Sequence, residues 1–454
     1  MTDDERWSLR GHVRALEGAG RLVRLGRPAD PDTEVSALMA ELDRRRLAGV
    51  FEVVGDSRFA LAYNLLGSRD MVGIALGVAG AEVADAFARG VGSPVDPVVV
   101  AGGAASQECV LEGADADLGL LPAVVHSEFD AGRYITAGMV LTRDPETGLR
   151  NISFNRMCPV GPRAAGIRMM PPQQLGQIQA KAERRGEDLP VAVAVGMHPT
   201  AGLGAAASPP LGRDELAMVG GLRREPVRLV AGVSVPIEVP AEAEFVIEGW
   251  VRCGVREPEG PFGDFLEYYV PRMDNHRLEV TAITHRRSAV YQTMHAGSRE
   301  DVQILGVSRE VDIVEAVRRT GARVSAVRLQ PTILGAVVAI APRYAGEGKA
   351  VAMAALGAYR WLKYCVVVDA DVDVDSGDDV WWAVATRTAL DRDVVVVPHA
   401  GGFPRDESGM HDARLIIDAT VPLDRAEHFH RRLPPGHGRV RLEDFLATAR
   451  GTGA

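Results

Sequence analysis

Apolar residues recur at helical spacing along Leu9 to Glu17 and Thr33 to Arg46, and Asp30-Pro31-Asp32 supplies a helix-start signal for the second run. Between them Leu22-Val23-Arg24-Leu25 alternates as a strand does. Val50 to Val54 and Phe59 to Ala62 read as two more strands, split by a Gly-Asp-Ser turn. Ala81 to Arg89 reads as a further helix, followed by Gly-Ser-Pro and Gly-Gly-Ala loop segments. An α/β unit therefore opens the chain, with a boundary between residues 115 and 135.

Ile135 to Arg143 and Ile152 to Phe154 pair as strands through the Asp144-Pro145-Glu146-Thr147-Gly148 connection. Gln173 to Arg185 is expected to be a helix, with prolines at its start and Gly186 just past its end. Val191 to Gly196 reads as a buried strand, Ala201 to Pro210 as a loop, and Asp214 to Leu222 as the start of a short helix. Short strands follow at Val227 to Ala231, Ile237 to Val239, Phe245 to Val251 and Leu278 to Thr284, a pattern that fits a partly open β-barrel. From Arg323 the pattern becomes strand, strand, helix, strand, helix, strand, up to Val394 to Val397. The expected fold is thus α/β (α+β) in three domains: residues 1–125 α/β, 126–310 a split β-barrel, and 311–454 a second α/β domain suited to oligomerisation.

The 454 residues exceed one ordinary core, so several domains are expected, and 46% hydrophobic with 25% charged residues fits a globular chain. A net charge of -10 argues against a nucleic-acid partner, while leaving room for a basic pocket that holds a phosphate. The four cysteines have no Cys-x-x-Cys spacing, which disfavours a zinc knuckle or a disulfide framework and fits a reducing cytoplasm. Apolar runs are strand-length, far short of a membrane span, and the acidic start lacks the pattern of a signal peptide.

Residues able to do chemistry together concentrate between Arg150 and Tyr269. Asn151-Ile152-Ser153-Phe154-Asn155-Arg156 is followed by Pro171-Pro172-Gln173-Gln174, by Asp214-Glu215, and by Glu259-Gly260-Pro261-Phe262-Gly263-Asp264. Arg156 lies five residues after Asn151, which on a flat strand puts the two on opposite faces, so the segment bends or wraps around a ligand. Glu259 and Asp264 flank a turn whose glycines permit tight backbone and whose Pro and Phe build an apolar wall. Two carboxyl groups in such different settings can be driven apart in acidity, one ionised beside Arg156 and one able to deliver a proton.

The order and spacing of these motifs resemble the UbiD family of decarboxylases, which use prenylated FMN made by a partner flavin prenyltransferase. The resemblance implies a split β-barrel that holds the flavin and a substrate that is an α,β-unsaturated or (hetero)aromatic carboxylic acid. It implies a divalent metal, Mn2+ or Mg2+, at Asn151, Gln174 and Glu215, bridging to the cofactor phosphate. Gln174 departs from the family, which usually has His there; the change removes the imidazole that favours a transition metal. Ile152, Ser153 and Gln173 fall at cofactor-binding positions, and Gly204-Ala205-Ala206-Ala207 matches a segment whose carbonyls hold K+ or Na+. By the same resemblance Arg156 holds the substrate carboxylate, a task for its planar fork of donors. Glu259 then pairs with Arg156, and Asp264 donates the proton. Arg414, four residues before Asp418, stands where the family usually has a Lys on the phosphate. A homodimer or homohexamer in the cytoplasm is implied, with neither a membrane nor a nucleic acid as partner.

Other signals carry less. Asp369 to Asp375 lacks the Gly and terminal Glu of a calcium loop and reads as a solvated strand end plus a helix start. His295, His399 and His411 have no metal-ligand spacing, and Trp381-Trp382 suit core or subunit contact. Phe265 and Leu266 are candidates for part of the substrate pocket. A metal-dependent enzyme without flavin and a flavin-binding protein without turnover are the competing readings, and the extracted small molecule's spectrum and mass separate all three.

Overall fold

The computed structural model describes residues 3–171, 173–207, 213–403, 413–432, 434–436, 439–440 and 445. Residues 208–210 of the expected loop, Pro172, His411 and residues 451–454 lie outside the described residues.

The first sheet has four strands in the order Leu22–Leu25, Ala48–Phe51, Ala60–Tyr63, Val290–Gln292. Strand alternation gives it two apolar faces. Leu9, Val13 and Leu16 of the Leu9–Gly18 helix share a core cluster with Ala48, Val50 and Ala62, whereas Val35, Met39 and Leu42 of the Val35–Arg44 helix share one with Phe51, Leu61 and Tyr63.

The central sheet has eight strands. Its order runs Arg150–Phe154, Met139–Arg143, Leu189–Val195, Phe245–Glu259, Met273–His285, Ala164–Ile167, Met157–Gly161, with Cys109–Glu112 also pairing to Met273–His285. The two ends of this order are consecutive in the chain, joined by Asn155 and Arg156, and an antiparallel bridge ties Met157 of one end to Ile135, just ahead of the Met139–Arg143 strand that neighbours the other. The sheet therefore curls into a barrel split at one seam, and Arg156 lies in the seam. Curvature comes from the 15-residue Phe245–Glu259 strand, whose register shifts at Glu248/Gly249 and again between Val251 and Arg256. Gly249 is obligatory at the first shift, because a Cβ there would meet the Glu279 carbonyl.

Both faces of the barrel wall are buried. Val140, Val191, Val193, Val195 and Ile247 enter one core, while Met139, Leu141, Ala192, Ala194 and Val246 enter the other. This accounts for the near-continuous apolar runs, since a sheet covered on both sides has no polar face to alternate with.

The last sheet has five strands in the order Val324–Leu329, Gly335–Ile340, Tyr364–Asp369, Arg414–Ala419, Val394–Val397, with the inner pairs parallel and the outer pairs antiparallel. The helices Glu347–Ala358 and Gly377–Arg387 connect its strands as expected. The acid run at its edge is not solvated as a whole: Arg387 holds Asp369 and Asp371, and Arg328 holds Asp375.

Three features differ from the sequence reading. Val98–Val99 and Cys109–Glu112 already pair with strands of the central region, so the expected boundary at 125/126 falls well inside that structural unit. Thr200–Ala205, read as loop, is a wholly buried helix. Its small residues serve close packing: a Cβ on Gly204 would strike Val219 of the Glu215–Arg223 helix. Finally, the sequence reading assigns nothing between Arg299 and Arg319, where the structure has a 21-residue helix that runs across the expected boundary at 310/311. It contacts the helix Val83–Gly92, the helix Thr200–Ala205, and both Val324–Leu329 and Glu347–Ala358 of the last domain. A helix gripped on several sides buries Glu300, Asp301 and Glu310 along with Ile304, Val307 and Ile313, which erases the single apolar stripe that betrays a helix in sequence.

The Glu215–Arg223 helix packs its backbone against Val83–Gly92, and a Cβ on Gly221 would collide with the carbonyl of Gly90. Gly221→Ala should destabilise the protein by about 1–3 kcal/mol through overpacking, despite a helix-propensity gain of about 1 kcal/mol. Urea unfolding measures this; an unchanged or raised midpoint would show that the two helices can separate freely.

Candidate active site

Arg156 sits where the chain leaves one end of the split sheet and enters the other, and the bend anticipated from its spacing to Asn151 is this seam. Its guanidinium meets Glu259 through both edges of the fork, Nε to Oε1 at 3.2 Å and Nη2 to Oε2 at 3.3 Å. The third nitrogen, Nη1, lies 4.0 Å from Asp264 Oδ2. The cation stacks 4.3 Å above the centre of the Phe262 ring. The three residues expected to do the chemistry therefore converge.

Glu259 is not a turn residue with an exposed acid. It ends the Phe245–Glu259 strand, and its side chain is 1% exposed. Besides Arg156 it accepts from the Tyr134 hydroxyl at 2.7 Å and from the Asn275 amide. Burial and this hydrogen bond raise the Tyr134 phenol, so it stays protonated and donates. All four donors suit a carboxylate, which accepts and does not donate.

Asp264 belongs to a hairpin of Phe262–Gly263 with Tyr269–Val270. Its Oδ1 accepts from Phe265 N at 2.6 Å, and its own backbone N–H donates to the Tyr268 carbonyl at 2.9 Å. Asp130 braces the hairpin from below, accepting from Gly263 N at 2.8 Å and Ser127 N at 2.9 Å. Desolvation raises the Asp130 carboxyl, opposed first by the backbone hydrogen bonds from Gly263 and Ser127 and last by the charge of Arg156. Phe265 and Leu266 pack onto the core of the last domain, with Phe265 and Phe403 rings 5.4 Å apart. Glu267 is exposed, at φ +62°.

At the far end of the Arg150–Phe154 strand a second group assembles. Asn151 Nδ2 donates to Gln174 Oε1 at 2.9 Å and to Glu215 Oε1 at 3.2 Å, and Ile152 N donates to Glu215 Oε2 at 3.3 Å. Gln174 and Glu215 each open a helix; Asp214 caps the second by accepting from Leu216 N and is itself paired with Arg150 at 3.0 Å. Burial pushes the Glu215 carboxyl up to about 7. Asn151 Oδ1 is buried with no hydrogen-bond partner. A half-turn of that amide exchanges its nitrogen for oxygen and faces three hard oxygens toward one another, a donor set that fits Mn2+ or Mg2+. Among the described residues no cluster of three or more His, Cys, Asp or Glu could hold a metal, so an ion here depends on the amides.

The remaining positions are spread out. Ser153 Oγ donates to Asn155 Oδ1 at 2.8 Å, Ile152 is buried, and Gln173 is exposed at the start of the Gln174–Arg184 helix. Arg414 is not drawn to either group by its contacts: its guanidinium donates to the carbonyls of Gly401, Leu356 and Arg360 within the last domain. Tyr134, Asn275 and Asp130 escape the sequence reading. Asn275 had a signal, since an asparagine is depleted inside strands and here sits within one that begins at Met273, five residues before the expected start.

Models of three domains match the chain, described as the 3-octaprenyl-4-hydroxybenzoate carboxy-lyase N-terminal domain at residues 13–90, Rift-related domain at 98–299 and C-terminal domain at 302–419. The chain belongs to the UbiD family. It is therefore read as a carboxy-lyase with the family's mixed α/β fold. Anhydromevalonate phosphate decarboxylase of Methanothermobacter thermautotrophicus is 38% identical over 322 residues, 70% of this chain and 76% of the relative. The UbiD-class enzyme HmfF from Pelotomaculum thermopropionicum, solved with FMN, superposes with a TM-score of 0.91 at 38% identity, covering 97% of this chain and 100% of its own. An evolved dimeric form of HmfF with prFMN gives 0.88 at 37% identity, with coverages of 97% and 100%. Among the described residues no single helix is long and apolar enough to cross a membrane.

Removing the Glu259 charge strands Arg156, whose side chain is 11% exposed. Glu259→Ala should cost about 3 kcal/mol of stability, the low end for breaking a buried pair by deleting one partner. Denaturant unfolding measures it, and a loss within about 0.5 kcal/mol, the range of ordinary surface changes, would show that the pair contributes nothing net.

Proposed function

We propose that this protein is a non-oxidative decarboxylase of an α,β-unsaturated or (hetero)aromatic carboxylic acid, dependent on prenylated FMN and a divalent cation. The observation that carries the reading is the convergence of Arg156, Glu259 and Asp264 at the barrel seam. Prenylated FMN, when bound, supplies the electron sink for the pair left behind by CO2. Asn151, Gln174 and Glu215 would hold Mn2+ or Mg2+ beside its phosphate, with K+ or Na+ at the carbonyls of Gly204 to Ala207.

Glu259 occupies two of the three guanidinium nitrogens and fixes the plane of the fork, leaving Nη1 directed at the Asp264 side. A substrate carboxylate on that edge is held by a charge-assisted bond and oriented before reaction. A carboxylate held by Nη1 lies beside Asp264, whose Oδ2 is 4.0 Å from that nitrogen, so Asp264 is near the carbon that CO2 leaves and can protonate it. Glu259 is unsuited to that step, because in all four of its hydrogen bonds, from Arg156, Tyr134 and Asn275, it accepts. Phe262 and the cis Gly260-Pro261 segment wall the site with apolar surface.

The cofactor is expected from a flavin prenyltransferase. All four cysteines are free, in keeping with a reducing cytoplasm. The expected assembly is a homodimer or homohexamer.

Two experiments test the reading. CO2 release from a panel of cinnamic-type, polyene and heteroaromatic acids should require co-expression with a flavin prenyltransferase, and Asp264→Asn should then lose turnover by roughly 10²-fold or more, the contribution of a positioned general acid. Equal turnover by protein carrying plain FMN would overturn the cofactor, and deuterium incorporation from solvent at the wild-type rate in Asp264→Asn would overturn the proton donor. For the metal, Glu215→Ala should lose bound Mn2+ and flavin together, while Gln174→His should keep both and bind Mn2+ more tightly. Full flavin occupancy in Glu215→Ala, read by absorbance and elemental analysis, would refute the site.

A further inference from the structure

Glu259 is held by more than its arginine, and the extra contacts form a closed circuit. The Tyr134 hydroxyl reaches Oε1 at 2.7 Å, and the Asn275 amide reaches Oε2. Neither donor is adventitious. Tyr134 is wholly buried, its ring centre 4.5 Å from that of Phe262 and its backbone N–H on the Val124 carbonyl at 3.0 Å. Asn275 cannot turn over, because its Oδ1 already accepts from Arg168 Nη1 at 3.1 Å, which commits its Nδ2 to Glu259. Arg168 in turn donates its backbone N–H to the Arg156 carbonyl at 3.1 Å, and its own carbonyl accepts from Asn155 Nδ2 at 2.7 Å. The circuit thus returns to the residue that Glu259 orients.

We propose that Tyr134 and Asn275 are positioning residues that keep Glu259 a fully accepting carboxylate, and so keep the Arg156 fork set for a substrate carboxylate. This rests on the function proposed above. The charged and titratable groups around Glu259 are Arg156 from the seam, with Asp264 and Asp130 beyond it, Arg168 behind Asn275, and Cys158 beside Tyr134. Burial pushes the Cys158 thiol up to about 11, so it adds no charge at neutral pH. Hydrogen bonds to a carboxylate favour its ionised form. Deleting one leaves a buried lone pair unsatisfied and loosens the carboxylate's grip on Arg156.

The test uses the holoenzyme carrying Tyr134→Phe, which keeps the ring against Phe262, or Asn275→Leu, which keeps the shape of the amide. Each should move the acid limb of the kcat/KM profile upward by about one pH unit and lower kcat/KM near neutrality about tenfold, chiefly through KM. In parallel, infrared titration of each protein against its Glu259→Gln counterpart should show the protonated carboxyl band appearing at higher pH in both variants than in wild type. An unchanged acid limb and an unchanged band in Tyr134→Phe would overturn the proposal, and that variant alone decides if Asn275→Leu does not fold. If wild type releases CO2 from no acid in the panel, the function proposed above fails, while the infrared titration still decides whether these two residues hold Glu259 ionised.

Discussion

The pairing of Arg156 with Glu259 is the constraint around which the rest of this structure is arranged. A guanidinium and a carboxylate are costly to take out of water, and they repay that cost only when both forks are aligned and the remaining lone pairs find donors. Here the alignment is inherited from the barrel. Arg156 occupies the seam where the sheet fails to close, Glu259 ends the strand that supplies the barrel's curvature, and Asn275 comes from the strand paired with it. Glu259 belongs to the sheet and Arg156 to the two-residue link between its end strands, so the pair is held by the sheet on both sides, which is what a group that orients a substrate requires.

Asp264 is held quite differently. It projects from a short hairpin whose base is braced by Asp130 and whose tip packs against the last domain through Phe265 and Leu266. The sequence reading took Phe265 and Leu266 as candidates for the pocket wall; the structure uses them to couple the acid-bearing loop to a neighbouring domain. One side of the site is thus built into the barrel wall, and the other is carried on a joint between two domains. The Arg299–Arg319 helix, which touches all three domains, frames that joint.

Much of this was legible in the sequence because it is locally encoded. Short apolar runs between turn residues marked the strands, Gly186 and Asp214 marked helix ends, and the motif from Glu259 to Asp264 stayed intact as a contiguous string. What escaped shares one physical cause, namely that the deciding contact is made by residues far apart in the chain. Tyr134 and Asn275 lie in no motif and matter only because the barrel brings them to Glu259. The Arg299–Arg319 helix hides its period by burying acids on contact with three domains. Thr200–Ala205 looked like loop because glycine and alanine are also what two closely packed helices demand. Arg414 matched a family position, yet its donors face carbonyls that only the folded last domain presents.

The two register shifts in the Phe245–Glu259 strand carry a consequence for how this chain can vary. Beyond the second shift, Arg256, Glu257, Pro258 and Glu259 pair one for one with His276, Asn275, Asp274 and Met273, and in that ladder side chains alternate between faces. Side chains along this stretch can be exchanged, but the number of residues cannot. A single insertion or deletion between the shift and Glu259 would turn its carboxylate to the opposite side of the wall and present Pro258 or a neighbour to Arg156. Lineages that diverge in substrate should accordingly differ in the letters of this strand while keeping its count, and length variation should collect in the connections that the barrel does not measure.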